Sequence, residues 1–529
     1  MKINKIKINH IQSNAWKNWA LLLLLFPFIF TVNAQDTIKV QNHIIDNQIK
    51  NQIFKLPIVY TNLNIKDFTF TEVSYEHQQN EFSRKQIANE INTYQFLAQG
   101  HFTTASKWKL FGDLAIKKIL EKNLGWVLSD DRAEEQEVIT PHYFYVPRKA
   151  NWDNQTYALS GGFSKDITSH LSIAVKANYG AEKFNRTLDA RSQITNRKLG
   201  GEAQIGYQII ENHKVFLLGS YAENKKDFIF TYNNSSLNYE AYPETYLRFN
   251  AGYGRILNYF KYTDSGYLYK DLIDRIGLGY TFNSKNSIVT ALYYTQNSNN
   301  IFYTSSLDLS ANERMKIKTK INHAEIFAFH KWNKKEIQST LQFDQSDAKN
   351  FDKQSNGYNY TNSLNKVNWT TSIAQKTGSK IDYLVGLNML YQQNEYNDIL
   401  ATAHIELNSL NTGIYASKDF AFHKSKLNAT ASFNMYFPLP SKLDYYDTSG
   451  GTNIRFFEEV ILYDYAVNTT NYFAPELHLQ YSHPTKNNKT VVFFTNLKEK
   501  IALKKQTDYP VNINTNTTYW VQMGVQLNY

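Results

Sequence analysis

From Thr518 to the last residue, apolar and polar side chains change places at every step. Tyr519, Val521, Met523, Val525, Leu527 and Tyr529 alternate with Thr518, Trp520, Gln522, Gly524, Gln526 and Asn528. A period of two places each set on its own face of an extended chain. One face is therefore built for an apolar medium and the other for water. Leu171, Ile173, Val175, Ala177 and Tyr179 alternate with Ser172, Ala174, Lys176 and Asn178, and the same holds for 108–116, 199–209, 276–282, 381–391 and 427–437. Segments of about ten residues with one apolar face and one rich in Asn, Gln, Thr and Gly are what a membrane-spanning β-barrel requires. A soluble sandwich or solenoid also alternates, but rarely with strands this long and so many aromatics at their ends.

Tight polar connections recur at 103–106, 166–169, 211–212, 283–286, 333–335, 376–379, 421–424 and 484–489. Long segments separate them, at 118–155, 181–197, 223–271, 298–319, 346–361, 392–411, 438–471 and 499–517. Short turns on one side and long loops on the other are the asymmetry of an outer-membrane barrel, periplasmic and extracellular respectively. Eight hairpins, an opening strand near 65–75 and a closing strand at 518–529 predict an all-β antiparallel transmembrane barrel of about 18 strands, within 16–20. Phe228–Tyr232 and Ile399–Leu407 read as strand extensions above the membrane.

Composition agrees and excludes other classes. There is no cysteine, so a disulfide scaffold, a Cys-ligated metal and an acylated lipoprotein are all out. After residue 34 no apolar run approaches the ~20 residues of a membrane helix. The 33 Phe and 38 Tyr argue against disorder, and Tyr suits the two interfaces of a bilayer. The net charge of +10 has no clustered basic patch, which gives no support to nucleic acid as a partner. It does favour attraction to lipopolysaccharide phosphates at the outer rim.

Lys2, Lys5, Lys7 and Lys17 precede the apolar stretch Ala20–Phe30, which ends in Val32-Asn33-Ala34. This is the pattern of a secretory signal cleaved after Ala34. Residues 35–64 then read as a periplasmic tail and 65–529 as the barrel. Asp36-Thr37-Ile38-Lys39-Val40 has the form of a box that engages TonB, but 41–64 is too short for the plug domain of such receptors.

Trp126, the acidic stretch Asp130–Glu137, Pro141, Tyr157 and Ser160-Gly161-Gly162-Phe163 together resemble an uncharacterised family of Bacteroidota outer-membrane β-barrel proteins. The chain departs from that pattern in placing His142 directly after Pro141, with the aromatic delayed to Tyr143. Members of the family are porin-like and often encoded near TonB-dependent receptors and surface lipoproteins. The resemblance implies such a partner in the outer membrane and transfers no catalytic residue.

The lumen face is mostly neutral, including Asn178, Gln204, Gln208, Asn388, Asn428, Thr430, Asn434, Gln522 and Asn528, with charges of both signs scattered among them. It carries neither the Arg/Lys ring of an anion pore nor the carboxylate ring of a cation filter. Such polar groups either line an open pore or hydrogen-bond segments that plug it. Three strands carry a His and a Glu two residues apart: His323 and Glu325, His404 and Glu406, Glu476 and His478. Pairs at i and i+2 share a face and can converge on a divalent ion; ordinary polar lining is the alternative. The acidic run 130–137 reads as a solvated loop, with calcium or a basic partner as the alternative, though it lacks the Gly and the ligand spacing of a calcium loop. His142 falls in a loop expected to be mobile, and no Gly-x-Ser-x-Gly elbow is present. No catalytic residue, cofactor or metal is expected. The sequence leads first to a passive channel for small hydrophilic solutes, with loops that constrict the lumen without sealing it. The alternative is a non-conducting docking subunit for a TonB-dependent receptor or a surface lipoprotein.

Overall fold

In the computed structural model, the described residues are 54–61, 67–132, 141–257, 266–305, 309–378, 380–445, 452–485, 489–504 and 517–529. The signal segment, the proposed cleavage point and Asp36–Val40 lie outside them.

Among the described residues eighteen antiparallel strands close into a barrel, and a short nineteenth strand, Lys442–Tyr445, extends the same sheet by pairing with the outer end of Ala403–Phe422. Closure is direct: Phe68–Asn80 pairs with Glu90–Thr103 on one side and with Thr517–Asn528 on the other, Tyr75 standing opposite Met523. The opening strand thus runs from 68 to 80 rather than 65–75. All eight expected turns fall between strands. A closed barrel satisfies every backbone N–H and C=O without water, which is the condition for crossing lipid.

The strands are taller than the ten-residue segments predicted. Arg191–Ile210, Glu313–Trp332 and Ala403–Phe422 each span 20 residues. Two segments read as long outer loops are therefore strand walls joined by short links at 187–190 and 399–402. Along each wall the outward face changes character sharply. From Leu199 through Ile205 and Tyr207 to Ile209 it is apolar and exposed, and beyond Leu199 come Arg197 and Thr195. In Glu313–Trp332 the exposed Ile326 gives way to Asn322, Lys320 and Lys318. Exposed aromatics mark two levels: Phe102, Tyr207, Tyr383 and Tyr529 near the short turns, and Tyr94, Tyr157, Tyr179, Tyr221 and Tyr293 nearer the long loops. This is an apolar belt with aromatic rims and a polar collar above it, the profile of a barrel seated in an outer membrane.

Inside, several glycines make room for rings from the adjacent strand, which covers their backbone. A side chain at Gly162 would meet the Val175 carbonyl oxygen at 2.1 Å and the Phe111 ring at 2.6 Å. Gly162→Val is therefore expected to spoil the pairing of Ala150–Asp166 with Lys109–Leu124 and Leu171–Arg186 on its two sides. The check is a heat-modifiability gel, in which most refolded variant should run at the unfolded position.

Candidate functional site

The lumen is occupied at two levels by the chain itself. At the outer end the loops turn inward and pack into a single aromatic core. Tyr143–Tyr145, Arg248–Asn250 and Ile256–Leu257 form a small second sheet there, which points Phe144 and Phe249 at the barrel wall. Phe144 is the hub, with its centroid 4.8 Å from Phe230, 4.8 Å from Phe249, 4.6 Å from Tyr267 and 5.9 Å from Phe302. Trp126 stacks on Tyr145 at 5.8 Å, and Phe456 from the helical segment 452–468 closes over both.

The whole rim takes part. Lumen-facing side chains near the outer strand ends join the buried clusters, among them Trp152, Phe184, Ile194, Phe302, Met315, Tyr360, Tyr396, Ile405, Tyr436 and Tyr472. Where no apolar group is offered, a hydrogen bond is. Asn80 donates to the Ala88 carbonyl at 2.8 Å, Asn350 to the Ala251 carbonyl at 3.1 Å, and Thr518 to the Phe82 carbonyl at 2.9 Å.

Buried polar groups fix the loops to the wall. Asp398, 1% exposed, accepts from the backbone N–H of Tyr253 at 2.7 Å, from Ala401 N–H at 3.2 Å and from the Asn359 amide at 3.0 Å. Asp352 holds Arg255 at 3.1 Å and Arg314 at 3.3 Å. At the start of the acidic run, Asp130 and Asp131 pair with Lys226 at 3.0 and 3.2 Å. Arg132 forks onto Glu121 at 2.7 and 2.8 Å. These are ion pairs within the chain at the start of the run; Glu134, Glu135 and Glu137 lie outside the described residues.

His142 is not in a mobile loop. It is 2% exposed, its N–H donates to the Asn250 carbonyl at 2.8 Å, and its ring stacks on Phe249 at 6.2 Å. Burial pushes its imidazole down to about 3, with Asp352 opposing and Arg255 assisting. The opened cap binds a proton there below 6.5 and the packed cap does not. Its stabilising effect is full above about pH 6.5 and is lost as pH falls toward 3, on the order of 4 kcal/mol. Asp464 has the opposite slope: burial raises its carboxyl to about 6, which favours the packed cap as pH falls from 6 toward 4. The histidine shift is the larger. Amide exchange over 141–146, corrected for intrinsic rates, is expected to accelerate between pH 6.5 and 4. His142→Gln should reverse that profile, leaving the Asp464 slope alone, and Asp464→Asn should steepen it.

At the inner end, residues 54–61 occupy the lumen. They were expected within a periplasmic tail, and the reason they are not is apolar wall. Phe54, Leu56, Ile58 and Val59 are buried in one cluster with the lumen-facing Phe111, Phe216, Leu218, Leu292 and Phe327. A Pro57–Tyr60 3-10 turn orients them. The wall also grips the backbone: Gln204 accepts from Ile58 N–H at 3.1 Å, Lys176 donates to the Phe54 carbonyl at 3.0 Å, and Asn283 donates to the Val59 carbonyl at 2.9 Å. Gln204 and Lys176, marked as lumen lining, thus hold a plugging segment.

The three His/Glu pairs separate. His323 and Glu325 face the lumen, with His323 Nδ1 2.6 Å from Asp344 and its Nε2 3.5 Å from Glu325. Glu325 pairs with Lys55 of the inner segment and accepts from Gln342 at 2.7 Å, so this pair anchors the plug. Glu476 and His478 share the inward face of Asn471–Pro484 with the buried Tyr472 and Ala474. His404 and Glu406 do not face the lumen: they share the outward face with exposed Ile414, while Ile405 and Leu407 point into the cap. There His404 contacts Asn397 at 2.5 Å and Glu406 accepts from Asn408 at 2.9 Å. Among the described residues no three His, Asp or Glu are grouped to hold a metal ion.

The fold and its filled interior define a transmembrane β-barrel of the outer-membrane type whose own chain occupies the lumen. The chain belongs to the family of unknown function DUF6850, which matches residues 57–529. No curated protein matches it. Among solved structures, it is similar to the ferric preacinetobactin receptor BauA from Acinetobacter baumannii, at 9% identity, covering 88% of this chain and 80% of that one with a TM-score of 0.38. Similar figures hold for the outer membrane transporter YddB from Escherichia coli, at 8%, 88%, 81% and 0.38, and for the unliganded ferric citrate transporter FecA, at 9%, 87%, 78% and 0.39.

Proposed function

We propose that the barrel is a non-conducting docking subunit of an outer-membrane complex, in preference to a passive channel for small hydrophilic solutes. The observation that carries this reading is the aromatic cap, which engages the strands around the rim. A solute path through it would require unpacking a core comparable to that of a soluble domain. Such packing is discrete and does not yield gradually. The apolar lumen wall around Phe54–Val59 supports the same conclusion, because Phe216 and Phe327 facing an open aqueous pore would be exposed at a cost of about 1.5–3 kcal/mol each.

What remains available for function is the outside. The polar collar above the belt presents Asp274, Asn297, Lys318, Lys320, Asp347 and Lys349 on adjacent strands. A surface lipoprotein or a TonB-dependent receptor is the partner this reading assigns, with lipopolysaccharide phosphates meeting the basic members of the collar. No catalytic step, cofactor or metal enters it. Because the chain lacks cysteine, Asn297→Cys and Ser372→Cys can each carry a photo-crosslinker in native membranes. The collar position is expected to yield a discrete adduct to a lipoprotein or receptor, and the lumen position none. Only lipid adducts at the collar would contradict the docking role.

A further inference from the structure

Two adjacent cation pairs, Arg197-Lys198 and Lys225-Lys226, are each split across the barrel wall. The inward member of each is matched: Lys198 pairs with Glu182 at 2.9 Å, and Lys226 with Asp130 and Asp131 at 3.0 and 3.2 Å. The outward members, Arg197 and Lys225, are exposed, and among the described residues neither makes an ion pair. Arg197 stands directly opposite Lys225, and Lys225 directly opposite Lys270 on the next strand. Lys270 has Glu223 at 3.2 Å. Lys183 is a further exposed cation on this face, two residues from Ala181, which stands opposite Arg197. Asp227, opposite Thr195, adds a second carboxylate and pairs with none of them.

Like charges directly opposite on neighbouring strands repel, with side-chain bases about 5 Å apart. Strand pairing therefore works against two such steps in succession. Their height on the wall is informative. Just below them on the same strands come the exposed Tyr179, Leu199 and Tyr221, part of the aromatic rim nearer the long loops. That is the headgroup level of the outer leaflet, where Lys and Arg attract phosphate and a guanidinium can fork onto it.

Beneath the rim the lipid-facing surface is recessed. Gly201, Ala203 and Gly219 share the outward face, Ala203 opposite Gly219, among the exposed Leu217, Tyr221 and Ile276. A side chain at Gly219 would meet no atom within 4 Å, and one at Gly201 only the Lys176 carbonyl oxygen at 3.9 Å. Packing inside the barrel does not call for these glycines. Their effect is a gap in the apolar surface below the cations.

We infer that this sector holds one phosphorylated glycolipid of the outer leaflet, its phosphate between Arg197 and Lys225 with Lys270 beside it, and an acyl chain in the recess. The phosphate offsets the repulsion of the two opposed pairs. The inference rests on the collar reading only in placing phosphates at this height, and it involves lipid alone, so its test does not depend on whether a partner docks.

Native mass spectrometry of the full-length folded barrel, titrated in detergent, tests it with four probes: lipid A, dephosphorylated lipid A, the deacylated phosphorylated headgroup and inorganic phosphate. Lipid A is expected to occupy one tight site per barrel, at least tenfold tighter than any of the other three. Arg197→Gln combined with Lys225→Gln should weaken it tenfold or more, and Gly219→Leu, which fills the recess, at least threefold. Lys122→Gln removes an outward cation that Glu90 already pairs at 2.8 Å, and should change the affinity less than twofold. The double variant should also leave the melting temperature of the lipid-free barrel unchanged or raised, because repulsion is relieved. Lipid A held no tighter than its dephosphorylated or deacylated form would overturn the inference. So would equal losses in Lys122→Gln and the double variant, unaltered binding in Gly219→Leu, or a lowered melting temperature in the double variant. Any of these with the collar crosslink intact would remove this site and leave the docking role standing.

Discussion

Asp398→Ala is expected to release the loop 247–257 from the barrel rim. The carboxylate accepts two backbone N–H groups of that loop, from Tyr253 at 2.7 Å and Arg255 at 3.3 Å, together with Ala401 N–H and the Asn359 amide. The approach is close: a side chain at Gly252 would meet Asp398 Oδ2 at 2.0 Å. Removing the acceptor leaves several buried donors unmatched, each costing about 1–3 kcal/mol, so the loop should lose on the order of 4 kcal/mol of local stability. Trypsin should then cut after Arg248 or Arg255, which the folded barrel protects, while the strands remain resistant. Asp398→Asn keeps one accepting oxygen and should fall between. Unchanged protection in the alanine variant would mean the loop is held by its aromatic contacts alone.

The second large effect belongs to Phe144→Ala. The ring is 1% exposed and sits among Phe230, Phe249, Tyr267 and Phe302. Deleting a buried phenyl ring from a packed core costs about 3–5 kcal/mol. The cap and the strands are separate in this respect, because the strands are held by their ladder and by lipid. The near-ultraviolet circular dichroism of the aromatic cap is expected to melt well below the far-ultraviolet signal of the barrel. In the parent protein the two should melt together or nearly so. Coincident transitions in the variant would show that the cap does not fold as a unit on its own.

The barrel was legible because lipid leaves the sequence little choice. Every spanning strand must alternate and every inner turn must be short and polar, so strand number and the eight turns follow from residues such as Glu211-Asn212 and Asn333-Lys334. The interior was harder, since alternation gives the face of a side chain and not what covers it. Gln204 and Lys176 look the same whether they line water or grip the backbone of Ile58 and Phe54.

A usable signal was nevertheless present. Val215-Phe216-Leu217-Leu218 and Ile326-Phe327-Ala328-Phe329 are apolar on both faces, which a wall between lipid and water would not be. Tyr143-Phe144-Tyr145-Val146 and Phe54-Lys55-Leu56-Pro57-Ile58-Val59 are too apolar for a solvated loop or tail. Together these four runs mark a lumen with an apolar filling. The His/Glu pairs misled where parity was not followed to the exposed residues of the same strand. His404 shares its face with Ile414, which is 59% exposed, and that face is the outside. Asp398, Asn350 and Asn359 carried no signal, because their role depends on loops that reach them from 145, 99 and 108 residues away.

Single-channel recording in planar bilayers tests the filled lumen most directly. Folded, full-length barrel is expected to insert without steady conductance steps, in the presence of neutral and charged solutes alike. A variant that lacks 54–61 and in which 126–147, 233–265 and 452–468 are replaced by short Gly-Ser links should conduct, which shows that insertion occurred and that the cap and the inner segment were the seal. Large, steady steps from the intact protein would contradict a closed barrel and restore the passive channel.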